Sequence, residues 1–314
     1  MRPVRPNPSP AATDSERLRR EYEEYLRVQR GLSERTVYHC WRFADRFLEF
    51  RFPGAAAEFD RLTPPDIARF LHHLSARGKP SRDKTPPTHL RNFFRFLFRT
   101  GRTPTDLTPT VPRVAHRYGA RLPRFLTPVQ VEQLLAAVRA DTPVGRRNSA
   151  MLLLQARLGL RAPEVIAIQL DDIDWRAGEI LIRGKGPRLD RLPLPPDVGA
   201  AIAEYVRRDR VTTSRTLFVT DRAPRRPFAD GQVLNLILRH AFAACGLTPP
   251  TPYVGSHILR HSLATALIRR GASLGEIGEL LRHRSRHTTL RYAALDVDGL
   301  RAVAQPWPAP GGDQ

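Results

Sequence analysis

Lysine is almost missing from this 314-residue chain: Lys79, Lys84 and Lys185 are the only three, in a sequence with 51 lysines and arginines together. The basic character therefore rests on arginine, whose guanidinium keeps its proton and grips oxyanions through parallel N–H donors. Cysteine is equally sparse. Cys40 and Cys245 lie far apart, with no C-x-x-C pair, which excludes a disulfide framework and fits a reducing cytoplasm. No apolar run is long enough to span a bilayer, and Met1–Pro10 lacks the apolar stretch of a signal peptide. Acidic residues are outnumbered, 31 against 51, for a formal net charge of +20. That sign and size predict a polyanionic partner, because a basic surface gathers phosphates through Coulomb attraction and counterion release. Nucleic acid fits this better than a membrane surface.

What is present is enough apolar residue, 41%, for ordinary globular cores, and the length suits two domains. Residues 1–13 are Pro-rich without periodicity and read as a loose tail. Four helical segments follow in a first domain, 14–101. One runs from about Ser15 to Arg30, with Leu18, Tyr22, Tyr25 and Leu26 on one face and Gly31 as its stop. A second starts near Ser33 and buries Val37, Cys40, Trp41, Ala44, Phe47 and Leu48. A third opens at Thr63-Pro64 and a fourth spans about Thr88 to Thr100, where Arg91, Arg95 and Arg99 form a basic stripe suited to phosphate contact. Residues 102–120 carry prolines and no pattern, as a linker does.

The second domain, 121–305, opens at Thr127-Pro-Val-Gln130, which has the form of a capping box. Glu179–Arg183 and Leu189–Leu194 alternate like strands around a Gly184-Lys-Gly-Pro turn, a β-hairpin. Helices are expected over about 196–208, 230–244, 256–270 and 274–282, with a strand-like Thr216–Thr220. Residues 306–314 form a second tail. The fold class is mainly α with a small β-sheet.

Chemistry concentrates near the C-terminus. Ser256-His-Ile-Leu-Arg-His-Ser262 sets His257, Arg260 and His261 on adjacent turns of one helix. His283 and His287 form a second i, i+4 pair. Zinc is a poor occupant, because Ile258 stands where a zinc protease of the H-E-x-x-H type has its glutamate, and Arg260, Arg282, Arg284 and Arg286 would repel a dication. An anion suits these residues, since imidazole N–H and guanidinium both donate to phosphate oxygens. Cleavage of a phosphodiester needs donors for the growing charge, a nucleophile, and proton transfer at both oxygens. Arg161, at a Gly-Leu-Arg turn, and Arg260 are candidate donors. Tyrosine is a usable nucleophile whose phosphodiester conserves bond energy, so rejoining needs no ATP. Lys185, the single lysine of this domain, sits at the hairpin tip and can release a proton where arginine cannot.

These residues carry a resemblance. Ala156-Arg-Leu-Gly-Leu-Arg-Ala-Pro-Glu-Val165 resembles the first arginine motif of the tyrosine recombinases, the phage integrase family. Arg183-Gly-Lys-Gly186 with Arg191-Leu-Pro-Leu194 resembles the family's β-hairpin lysine motif, and His257-Ile-Leu-Arg260 matches its H-x-x-R. Leu281-Arg-His283 is similar to its L-G-H motif, with Tyr292 nine residues further on, as the family nucleophile stands. Pro163, and Arg282 in place of glycine, depart from the pattern; Arg282 could alter the turn that presents His283.

The resemblance implies a helical core-binding (SAM-like) domain and a mixed α/β catalytic domain, acting on double-stranded DNA as a site-specific recombinase or integrase through a 3′-phosphotyrosine. It implies that Arg161 and Arg260 grip the scissile phosphate with His257 and His283, that Lys185 protonates the leaving 5′-oxygen and that Tyr292 attacks. Glu164 is expected to brace an arginine or histidine, and His261 and His287 to be structural or DNA-contacting. No cofactor and no metal are implied. The expected assembly is a homotetramer on paired DNA sites, alone or with partner recombinases, in the cytoplasm at the nucleoid and away from membranes. A short amphipathic helix of Leu295, Val297, Leu300 and Val303 is expected either to dock on a neighbouring protomer or to fold back. A mobile-element role is favoured over chromosome resolution. Two rivals share the residues: a type IB-like DNA-relaxing enzyme, and an accessory DNA-binding protein with little catalysis.

Overall fold

A computed structural model describes residues 10–76, 85–112, 124–184, 189–250, 255–283 and 285–295. The chain divides into two compact units, Met1–His116 and Arg117–Gln314. Among the described residues no helix is long and apolar enough to cross a membrane.

In the first unit, α1 (Pro10–Glu24) starts one turn earlier than the apolar pattern indicates, because Pro10 has no N–H to lose there and Ala11-Ala12 favours helix. It runs into a π-helical turn, Tyr25–Gln29, and the chain breaks at Gly31 with φ +58, a region glycine enters at little cost. Helix α2 (Glu34–Arg51) buries the six residues its periodicity marks. Helices α3 (Pro64–Ala76) and α4 (Thr85–Arg99) complete the unit. Its core is built on rings: Phe47 meets Phe70 and Phe94 edge-on, with centroids 5.3 and 5.2 Å apart, the arrangement ring quadrupoles prefer.

Two features of this unit lie outside periodic reading. The proline-rich stretch after Gly101 places Leu107 and Val111 in the aromatic core, around a short 3-10 turn at Thr108–Thr110. Arg91 corrects the expected stripe. Its guanidinium donates to the carbonyl oxygens of Val111, at 3.2 Å, and Pro112, so it fastens this segment instead of lining a surface with Arg95 and Arg99.

The second unit begins with α5 (Pro128–Ala136), whose capping box forms as expected: Thr127 Oγ1 accepts from Gln130 N at 3.3 Å and Gln130 Oε1 from Thr127 N at 2.9 Å. Helix α6 (Pro143–Leu158) runs through the core with Met151, Leu152 and Leu154 fully buried. After it come α7 (Ala162–Ala167) and an antiparallel sheet in the order β1 (Ile173–Asp174), β2 (Glu179–Arg183), β3 (Leu189–Pro193). The hairpin register pairs Ile180 with Leu192 and Ile182 with Asp190. Helix α8 (Pro196–Arg208) packs on α6. The strand-like Thr216–Thr220 joins no sheet; it makes single bridges, Gln169 to Thr216 and Val219 to Pro227, while Leu217, Phe218 and Val219 are buried in succession. Then follow α9 (Gln232–Cys245), α10 (His257–Ile268), α11 (Leu274–Leu280), the single turn α12 (Arg286–Thr289) and a 3-10 segment, Leu290–Leu295. The expected helix through Val297, Leu300 and Val303 lies outside the described residues beyond Leu295.

Candidate active site

Five of the six candidate residues surround one cavity of about 210 Å³, lined by Arg161, His257, Arg260, His261, His283, Thr288 and Tyr292. The sixth, Lys185, lies outside the described residues, between the ends of β2 and β3. The side chain of His287 is likewise not described.

Beside the cavity, Leu281, Leu263 and Arg260 pack closely on Gly159. This residue ends α6 with φ +60, and a Cβ added to it would stand 2.6 Å from Leu281 Cδ2. Glycine thus serves twice, in its left-handed backbone and in the space that lets Leu281 approach. Two residues on, Arg161 precedes α7, and Glu164 turns back to it. Glu164 Oε2 accepts from Arg161 N at 2.8 Å and Oε1 from the Arg161 guanidinium at 2.6 Å. Pro163 sits in the first turn of α7, where a missing N–H breaks no helical bond, so this departure from the family pattern is structurally neutral.

Helix α10 contributes His257, Arg260 and His261 from one side, while Ile258 and Leu259 enter the main core on the other. Arg260 is itself buried. It donates to the carbonyl oxygens of Gly159, at 2.5 Å, and Leu281, which fix the plane of its guanidinium. Burial, and the neighbouring Arg161 and Arg282 charges, draw its pKa down to about 10. Arg161 and Arg260 thus stand as neighbouring positive charges on one cavity, an arrangement that suits an anion.

Glu164 answers part of that charge. Burial works to raise its carboxyl, but the Arg161 amide, the Arg282 charge and the Arg161 side chain hold it below the ordinary range. It braces Arg161, as expected, and its Oε2 also accepts from Arg282 at 2.8 Å. Arg282 occupies the left-handed region with φ +52, the conformation for which the family pattern uses glycine. The turn still presents His283 to the cavity. There His283 Nδ1 lies 2.8 Å from Thr289 Oγ1, and His283 N donates to Gly278 O at 2.9 Å.

Tyr292 is 1% exposed, its ring among Ala264, Ile268, Ile277 and Leu281. Its hydroxyl points to His261, with Oη 2.5 Å from Nδ1. The sequence reading gave His261 a structural or DNA-contacting place; the structure sets it against the tyrosine hydroxyl. The available signal was its i, i+4 spacing from His257, which puts both rings on one face of α10. Thr288, a second cavity residue, carried no signal of its own. Among the described residues, no three His, Cys, Asp or Glu side chains gather as metal ligands would.

Comparison with known proteins identifies relatives of the chain. Residues 124–298 match the phage integrase family and residues 20–101 match the phage integrase N-terminal SAM-like domain. A Sinorhizobium fredii protein named as integrase/recombinase y4rA is 42% identical over 288 residues, covering 91% of this chain and 70% of its own. Tyrosine recombinase XerC of Roseiflexus castenholzii is 31% identical, covering 87% of each chain. Among solved structures, the XerH site-specific recombinase in its post-cleavage complex superposes with a TM-score of 0.68 at 19% identity, over 92% of this chain and 95% of that one. At that identity the likeness speaks for the fold.

Proposed function

The chain belongs to the phage integrase family of tyrosine-type DNA strand-transfer enzymes, and we propose that it cleaves and rejoins duplex DNA through a 3′-phosphotyrosine at Tyr292. The observation that carries the assignment is the shared cavity: two arginines and three histidines line it together with one buried tyrosine, whose hydroxyl meets His261.

The scissile phosphate occupies this cavity. Arg161 and Arg260 donate to its non-bridging oxygens, with His257 and His283 beside them, so charge growing in the transition state meets donors already fixed by Glu164 and by backbone carbonyls. Tyr292 Oη attacks phosphorus and its proton passes to His261 Nδ1, the nitrogen already at hydrogen-bond distance. The P–O5′ bond breaks, and Lys185 delivers the proton that the 5′-oxygen takes up. Attack by a 5′-hydroxyl from the partner duplex reverses these transfers and reseals the strand, with no external energy source. Recombining two duplexes requires four strand cleavages, and each active site supplies one tyrosine; this supports a homotetramer on paired DNA sites. Its greater identity to a protein named integrase/recombinase than to XerC supports a role in moving a mobile element.

A nicked half-site that loses its short product strand on cleavage tests the reaction. Wild-type protein is expected to accumulate a covalent adduct stable to denaturant. Tyr292→Phe is expected to bind the same DNA and give none. Binding without an adduct in the wild type would leave the accessory DNA-binding reading in its place. Relaxation of any supercoiled plasmid without paired sites would favour the type IB-like reading.

A further inference from the structure

Arg282 stands where the family pattern has glycine, and the left-handed backbone there suits glycine better than any side chain. A residue that accepts such a conformation has to be held by its surroundings. It is held firmly. Its side chain is only 3% exposed and bonds Glu164 Oε2 at 2.8 Å, and its Nε lies 3.9 Å from Asp190 Oδ2 on β3. A terminal nitrogen donates to Leu280 O at 3.3 Å. Its own carbonyl oxygen accepts from the Arg161 guanidinium at 3.5 Å. One residue thus touches the turn before His283, the Glu164–Arg161 pair and strand β3.

The charge count gives this arrangement a consequence. Arg161 and Arg282 share the one carboxylate of Glu164, two positive charges on one negative. With glycine at 282, Glu164 would answer Arg161 without Arg282. Glu164 is not among the residues that line the cavity. We infer that Arg282 is a positioning residue that shares Glu164 with Arg161, and so leaves the phosphate-facing arginines with a net positive charge. Its effect reaches the phosphate through Arg161 and Glu164, not by contact. The inference rests on the reading of the cavity as the scissile-phosphate site.

Three substitutions separate charge from shape. Arg282→Gly relieves the backbone and removes the charge, Arg282→Lys keeps the charge, and Arg282→Gln keeps a hydrogen-bond donor without it. Single-turnover cleavage of the nicked half-site at saturating DNA is the readout, with binding followed separately by fluorescence anisotropy. The Gly and Gln variants are expected to cleave about tenfold more slowly, the order of effect of one charge lost a few ångströms behind a site, with DNA affinity within twofold. The Lys variant is expected to recover most of the rate. On a half-site carrying an uncharged methylphosphonate at the scissile position, wild type and Arg282→Gln should cleave at matching rates, because the substrate's own negative charge, which the extra positive charge offsets, is absent. Gly and Gln variants as fast as wild type, or a Lys variant as slow as Gln, would overturn the inference, as would an undiminished Gln defect on the methylphosphonate. A wild-type protein that makes no adduct would instead overturn the parent reading, and this one with it.

Discussion

The two units bury different things. The first fills its interior with rings, Tyr22, Phe47, Phe70, Phe93, Phe94 and Phe96 among them, and the one buried carboxylate among its described residues, Asp66, is met by Arg51 at 2.9 Å and Arg69 at 2.6 Å. The second has an aliphatic core of Met151, Leu152, Leu154, Val165, Ile180 and Ile182, yet buries Arg147, Glu164, Asp172, Arg260 and Arg282. Burying charge is costly and rarely stabilises a fold better than apolar packing would. A domain that sets two buried or half-buried guanidiniums on one cavity, with a third behind them, therefore points to a ligand that repays the arrangement. The first unit is organised for shape, the second for a charged guest.

Substitutions in each unit should therefore fail differently. The largest effect is expected at Lys185. Replacing it with alanine should slow cleavage about 10²–10⁴-fold, the usual worth of a general acid, and the loss should vanish when the leaving 5′-oxygen is replaced by sulfur, since a thiol with a pKa of about 8.5 departs without an acid. An equal defect on both substrates would remove Lys185 from the reaction. Next, Phe47→Ala should destabilise the first unit by about 3–5 kcal/mol, read as a lower denaturation midpoint, while folded protein at saturating DNA cleaves within about twofold of wild type because no catalytic donor has moved. A selective loss of cleavage there would break the division of labour.

A smaller effect, and one that depends on pH, belongs to Glu164. Its folded pKa lies below the usual value of 4.5, with burial opposing and the Arg161 and Arg282 interactions prevailing. The carboxylate therefore stabilises the fold fully above that usual value, and the contribution is lost as pH falls through the lower folded one. Glu164→Gln should cost about 2 kcal/mol at neutral pH, the scale of a hydrogen bond to a charged group, and the gap from wild type should close in acid. A gap independent of pH would show that packing, not charge, is what Glu164 supplies.

Much of this was legible before any coordinates. The helices of the first unit announced themselves because each buries one face, so that Val37, Cys40, Trp41, Ala44, Phe47 and Leu48 recur at helical spacing. The Thr127 capping box and the two strands of the hairpin follow from local chemistry in the same way. Leu107 and Val111 were not readable, since an irregular proline-rich segment enters the core without a period. The bond from Arg91 to Val111 and Pro112 was hidden for the same reason. At the site, residue types and their order pointed to phosphate chemistry. They could not show that His261 rather than His257 meets the tyrosine hydroxyl, because both share one helix face and only the path of the chain after His283 chooses between them. Nor could they show that Arg282 pairs with Glu164, 118 residues away in sequence.

The central claim is that the tyrosine at the centre of this charged cavity becomes the covalent link to DNA. Protease digestion of the denatured adduct formed on a nicked half-site, followed by mass spectrometry, tests it most directly. The account predicts a single modified peptide, with the 3′-phosphate of the cleaved strand on Tyr292. Attachment at any other residue, or linkage through a 5′-phosphate, would contradict it.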